Sequence, residues 1–256
     1  MNRRQFLPLG LALAGACAGA QPATPVVAAA SDLKFALDEI VENYVRSTGH
    51  RVRVVYGSSG NFARQLAQGA PFDLFMSADE AFVEQLERRG LTQDGGALYG
   101  VGRIVLFTPD PPAFRLDPEL TGLRDALAQG RIRKFALANP EHAPYGRAAM
   151  QALQASGLWT QLEPRVVLGE NVSQAAQFAV SGNAQGGMFA LSLALAPGFG
   201  GRGTYVVIPE HLHQPLRQRM VLMRRAGPDA KAFHAYLAQP DARSVLRRYG
   251  FRLPGE

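Results

Sequence analysis

Apolar residues along the chain follow two alternating periods. Short runs rich in β-branched or small apolar residues read as strands: Val26–Ser31, Arg51–Tyr56, Asp73–Ser77 and Arg103–Thr108 in the first half. The second half repeats the pattern with Lys134–Ala138, Arg165–Leu168, Gly187–Ala190, Thr204–Ile208 and the late Gln218–Met223. Between them run helical spacings. Leu33, Ala36, Leu37, Ile40, Val41, Tyr44 and Val45 form one stripe that stops at Gly49. Further helices are predicted over Phe62–Gln68, Glu80–Arg89, Leu123–Ala128, Arg147–Ser156 and Ser173–Val180, with Pro228–Gln239 and Asp241–Tyr249 closing the chain. Strands alternating with helices predict α/β layers on mainly parallel sheets.

The pattern restarts after the Pro-rich loop Asp110–Pro118, so two α/β lobes are expected, with strands near Ile104–Phe107 and Arg219–Met223 joining them. The expected division is 25–103 for the first part of lobe 1, 104–217 for lobe 2 and 218–256 for a return to lobe 1. Ligands in such folds sit outside the carboxyl ends of strands, at a switch point or between domains. Four strand-to-helix junctions fall there. Two carry hydroxyls: Val26–Ser31 running into Asp32-Leu33-Lys34, and Val52–Tyr56 running into Gly57-Ser58-Ser59-Gly60. The other two are Asn139–Gly146 and Gly169–Gln174. A helix start offers unpaired N–H groups and a partial positive charge, and serine adds a donor without bulk. The pattern suits a small anion held by neutral hydrogen bonds. Ser31 and Ser59 also have a purely local reading as N-caps.

The first 20 residues read as a secretory signal peptide. They carry a charged Asn2–Leu7 segment, the apolar run Leu9–Ala16 and a small-residue cleavage pattern at Ala18-Gly19-Ala20. Arg3-Arg4 before Phe6-Leu7 resemble a twin-arginine signal, which leaves two export routes open. Cys17 lacks the leucine expected three residues upstream of a lipidation site. Cleavage after Ala20 removes this single cysteine, so the mature chain has no disulfide and no thiolate metal site. It also removes two arginines, which lowers the formal charge from +6 to +4. The remaining positive charge is scattered arginine on a solvated surface, and nucleic acid is not an expected partner.

An enzyme is a different class to weigh. Gly57-Ser58-Ser59-Gly60 approaches a nucleophile elbow, yet Asn61 stands where Gly-x-Ser-x-Gly needs its last glycine. A secreted serine hydrolase is therefore only an alternative, and no catalytic residue is assigned. No phosphate loop of the Walker type occurs. His142 reads as surface structure in a Pro-flanked loop, and His211 with His213 supplies two ligands where a metal site needs more.

Several stretches carry a family resemblance. Ala28-Ala29-Ala30-Ser31, Tyr56-Gly57-Ser58-Ser59-Gly60 with Ala63-Arg64-Gln65, and Gly69–Ala78 resemble ModA, the periplasmic molybdate-binding proteins of ABC importers. Asn139–Pro144 with Gly146, Glu170-Asn171-Val172 and the ending Arg248-Tyr249-Gly250-Phe251 extend the likeness over the mature chain. The resemblance implies the two-lobed type 2 periplasmic binding fold, with hinge strands and an interlobe cleft. It implies a periplasmic, non-enzymatic capture protein for molybdate or tungstate, with no cofactor. Its implied partners are an inner-membrane permease with a cytoplasmic ATPase, and a monomer is expected.

The resemblance implies hydroxyl donors at Ser31 and Ser59 and main-chain N–H donors at Tyr145 and Val172. Some members close the site with a tyrosine hydroxyl, at a position that aligns here with Ala190. The Asp32 or Ser58 N–H is expected to complete the shell instead. Asp32 is the awkward member. A carboxylate about 5 Å from a dianion is repelled by roughly 7 kcal/mol at an effective dielectric near 20. Its side chain is expected to turn away and cap its own helix. The alternative is a protonated oxyanion such as hydrogen phosphate, whose O–H would find an acceptor in Asp32. A phosphate- or sulfate-type site is thus the competing reading.

Overall fold

The computed structural model describes residues 24–255, so the signal-peptide reading and Cys17 lie outside the described residues. The first half forms β1 (Val26–Ala30), α1 (Lys34–Thr48), β2 (Arg53–Gly57), α2 (Ser59–Ala67), β3 (Leu74–Ser77), α3 (Glu80–Arg88), β4 (Ala97–Gly102) and β5 (Ile104–Pro109). Then follow α4 (Thr121–Ala128), β6 (Phe135–Ala138), α5 (Pro144–Ala155), α6 (Trp159–Leu162), β7 (Val166–Gly169), α7 (Val172–Val180), β8 (Gly186–Ala190) and α8 (Leu191–Ala194). The chain closes with β9 (Gly203–Val207), β10 (Leu216–Leu222), α9 (Pro228–Leu237) and α10 (Pro240–Arg248).

Ten strands build two five-stranded sheets, in the orders β2-β1-β3-β10-β4 and β7-β6-β8-β5-β9. Each sheet holds three mutually parallel strands, as the βα alternation predicts. Neither is mainly parallel throughout. β10 runs against β3 and β4, and β5 runs against β8 and β9, so both sheets are mixed. The reason is connectivity. β5 follows β4 of the other sheet after the single residue Arg103, and β10 is reached from β9 of the other sheet, so neither arrives by a helical crossover within its own sheet.

Local chemistry explains most element ends. Gly49, at φ 75°, closes α1 in the left-handed conformation that favours glycine. α5 begins at Pro144, three residues before the predicted start at Arg147. Proline at the first helical position has no N–H to lose there. α7 likewise opens one residue early, at Val172, behind an Asn171 side chain that accepts the Gln174 N–H at 3.1 Å. The strand β4 is absent from the sequence reading because Gly100 and Gly102 break its apolar pattern, and Gly95 and Gly96 precede it. The short helices α6 and α8 are too brief for a periodic signal.

The lower-numbered sheet is sandwiched. Ile40 and Tyr44 of α1 pack on one face with Phe233, Leu237, Val245 and Leu246 of the returning helices. On the other face Phe62, Leu66, Val83 and Leu86 of α2 and α3 meet Phe75 and Val221. Val45, read as part of the α1 stripe, is exposed at its edge. The second sheet packs Phe107, Phe135 and Phe189 against α4, α5 and α7. Each side chain of this size contributes roughly 1.5–3 kcal/mol of burial energy, so each lobe is held by its own core. That leaves the facing carboxyl ends of the strands free for polar work.

Candidate oxyanion-binding site

The four residues read from sequence as anion donors come together. Ser31, Ser59, Tyr145 and Val172 line one small, partly open cavity of about 10 Å³, with Asp32, Ser58 and Pro144. Ser31 opens a 3-10 turn directly after β1, and Ser59 is the first residue of α2, one residue after β2 ends at Gly57. Tyr145 and Val172 sit in the first turns of α5 and α7. Each strand delivers its helix start to the same point.

Neither serine is a helix cap. No side chain caps the turn at Ser31–Leu33 or the start of α2. The Ser59 hydroxyl instead accepts the Ala78 N–H at 2.9 Å, and the Ser31 hydroxyl accepts the Ser173 N–H at 3.3 Å. Each oxygen therefore already accepts one backbone donor. Each O–H proton has no protein acceptor among the described residues, and it is available to an anion.

The backbone donors sort by elimination. Pro144 has no N–H, so the first donor of α5 is that of Tyr145. At α7 the Ser173 N–H goes to Ser31 and the Gln174 N–H to Asn171, which leaves the Val172 N–H. At α2 the Gly60 N–H is taken by the His142 carbonyl at 2.9 Å. The Ser58 hydroxyl donates to the same carbonyl at 2.5 Å and lies 2.9 Å from His142 Nδ1. His142 is therefore buried at a contact between the two sheets' domains rather than on the surface.

Asp32 corrects the sequence reading. It does not cap its helix. The residue is 1% exposed, and its Oδ2 accepts from the Tyr145 hydroxyl at 2.9 Å and from Gln218 Nε2 at 2.8 Å. Its Oδ1 has no hydrogen-bond partner. Burial raises the Asp32 pKa from 3.8 to about 6, against the opposing pull of Gln218, Tyr145 and the nearby N–H groups of Asp32 and Leu33. Burial, with the Asp32 charge beside it, also pushes the Tyr145 hydroxyl well up, so it stays a donor. Ala190 ends β8 fully buried and is not among the residues lining the cavity; two residues on, Ser192 Oγ donates to the Asp32 carbonyl at 2.7 Å.

Sequence reasoning missed Gln218 and Tyr99. Gln218 left a signal: it shares the inward face of β10 with Leu216 and Met220, a polar residue at a core position. Tyr99 left none, because β4 itself was not read.

Neutral donors at converging helix starts between two α/β domains define a solute-binding protein of the bacterial extracellular kind. A family model described as bacterial extracellular solute-binding protein matches residues 25–252. Molybdate-binding protein ModA of Rhodobacter capsulatus is 35% identical over 248 residues, covering 96% of this chain and 92% of that protein. ModA of Azotobacter vinelandii is 35% identical over 253 residues, covering 98% and 97%. The solved Azotobacter vinelandii periplasmic molybdate-binding protein matches with a TM-score of 0.80 at 29% identity, over 90% of this chain and 99% of that one. The chain belongs to the ModA family of extracellular solute-binding proteins. The sulfate-binding protein SubI of Mycobacterium tuberculosis, at TM-score 0.74 and 16% identity, shares the fold alone.

Proposed function

We propose that this protein captures molybdate, and tungstate as its near-isostere, in the interlobe cavity and delivers it to a membrane permease driven by an ATPase. The observation that carries the reading is the donor set. Two serine hydroxyls each accept one backbone N–H and have a proton to give, and two helix-start N–H groups are left over, all around one small cavity. Full-length likeness to molybdate-binding proteins supports the choice of anion. The working site is Ser31, Ser59 and the N–H groups of Tyr145 and Val172. Residues 1–20 are the export signal for a periplasmic location, and the mature protein acts as a monomer.

The mechanism is capture without bond making. The first lobe (25–103 with 218–256) offers the serines and the start of α2. The second lobe (104–217) closes on the anion with the starts of α5 and α7. Each oxygen of a tetrahedral dianion is then met by donors, and water is excluded. Sulfate has the same charge and acceptors, so discrimination against it rests on cavity size.

Isothermal titration of the mature chain with molybdate, tungstate, sulfate and phosphate tests this. Molybdate and tungstate should bind tightly. Ser59→Ala should weaken molybdate at least tenfold, since a hydrogen bond to a charged group contributes about 1.5–3 kcal/mol. Heat with phosphate and none with molybdate would overturn the choice of anion, and unchanged affinity in the variant would remove Ser59 from the site.

A further inference from the structure

The capture reading uses the backbone of Tyr145 and leaves its side chain without a task. That side chain is 2% exposed and crosses from α5 of the second lobe to a polar pocket built by the first. Its hydroxyl donates to Asp32 Oδ2 at 2.9 Å and accepts from Gln218 Nε2 at 3.0 Å. Gln218 Nε2 also donates to Asp32 Oδ2 at 2.8 Å, while Gln218 Oε1 accepts from the Tyr99 hydroxyl at 2.7 Å. The Tyr99 hydroxyl also lies 3.1 Å from the Ser77 carbonyl and can donate or accept, so it is the acceptor-only carboxylate of ionised Asp32 that turns the amide nitrogen toward Tyr145, and the pocket then presents one acceptor and one donor to the incoming hydroxyl.

The backbone is shaped around this contact. Against the Gln218–Arg219 step of β10, β4 carries one extra residue, Tyr99, and such a bulge re-aims the side chain it holds. In the same strand, a Cβ on Gly102 would lie 2.1 Å from the Tyr145 hydroxyl oxygen and 2.7 Å from Gln218 Nε2. Only glycine admits the hydroxyl there. Gly102 is also the last residue of β4, one residue before the chain passes to the other sheet.

We propose that Asp32 and Gln218 form a socket for the Tyr145 hydroxyl, and that its seating latches the closed cleft and positions the Tyr145 N–H on the anion. Tyr145, Asp32 and Gln218 thus act as positioning residues through their side chains. The proposal rests on the capture reading above. The socket and its occupant belong to different lobes, so their hydrogen bonds exist only in the closed state. They slow ligand escape without changing how an open cleft meets its anion.

The test is stopped-flow and titration with molybdate on wild type, Tyr145→Phe, Gln218→Met and the double variant. Tyr145→Phe keeps the ring and the N–H and removes only the hydroxyl. The dissociation rate should rise about tenfold or more, the association rate should stay within about twofold, and the loss should be non-additive in the double variant. Gln218→Met probes the socket from the other lobe, so a folding failure of one variant leaves the other informative. An unchanged dissociation rate in both single variants overturns the latch. So does a loss carried by association, with a matching fall in the ligand-free melting temperature, because that marks general structural damage. If wild type binds none of molybdate, tungstate, sulfate or phosphate, the capture reading itself fails and takes the latch with it. Tight wild-type binding with unaltered variants refutes the latch alone.

Discussion

Asp32 shows how strongly a single buried residue is set by its surroundings. Its carboxyl is buried beside the proposed anion position, and the side chains it meets, Tyr145 and Gln218, are neutral. Desolvation favours the protonated form, and the pKa rises from 3.8 to about 6. The sign of the consequence follows from linkage. The folded state holds this proton more tightly than the unfolded chain, so the associated stability is present below about pH 4. It is lost as the pH climbs through about 6, and its size is roughly 3 kcal/mol. A bound dianion would raise the pKa further, so anion capture near neutral pH should take up a proton. Molybdate affinity of the wild type is expected to fall severalfold between pH 5.5 and 8, while Asp32→Asn should bind more tightly at pH 8 and show a flat profile. Titration across that range checks it, and a flat wild-type profile would contradict it. The sequence exposed Asp32 as a misfit through its charge alone. It could not reveal the resolution, because the Tyr145 and Gln218 partners lie 113 and 186 positions away.

Elements set how closely the lobes can approach. α2 opens with Ser59-Gly60, and the Gly60 N–H donates to the His142 carbonyl of the other lobe. A Cβ at Gly60 would lie 2.6 Å from that carbonyl oxygen and 3.0 Å from the His142 Cα. Both atoms belong to backbone or its root, so neither can swing aside. Gly60→Ala should therefore hold the cleft ajar. Helix start and core stay as they were, so we expect the melting temperature to change by no more than a few degrees while molybdate affinity falls about tenfold or more. Small-angle scattering with saturating molybdate should show a larger radius for the variant than for wild type, and equal radii would refute this. At this scale the hydroxyl-bearing junctions were readable, since Ser31 and Ser59 each follow a strand and open a helical turn. What pattern reading lost was position within the turn. Starting α5 at Arg147 hides that Pro144 hands its donor role to Tyr145. Polar and glycine-rich strand ends carry no periodicity, which is why β4, and Tyr99 with it, went unread.

Across the whole molecule, closure draws on contacts of unequal weight. Some are buried, namely the Tyr145 socket and the donors on the His142 carbonyl, and the pairing of Ser31 with Ser173 is half-buried. Others lie at the rim, where Arg147 Nη1 meets Asp79 Oδ2 at 3.1 Å and Asn61 meets Glu170. That there are two lobes was legible because the strand–helix pattern restarts after the loop Asp110–Pro118, yet no sequence period could say which surfaces meet on closing. Burial decides which of those contacts matters. The Arg147 and Asp79 side chains are 36% and 25% exposed, so water screens the pair and its contribution stays within about 1 kcal/mol. Arg147 also lies over the Phe82 ring at 5.8 Å, a contact of similar modest size at an exposed site. Arg147→Ala should therefore weaken molybdate by less than about tenfold, and added salt should shrink even that difference. The comparison with Gly60→Ala in the same titration is the informative one. A larger loss at Arg147 than at Gly60 would mean that the rim ion pair, not the backbone contact beside the cavity, holds the lobes together.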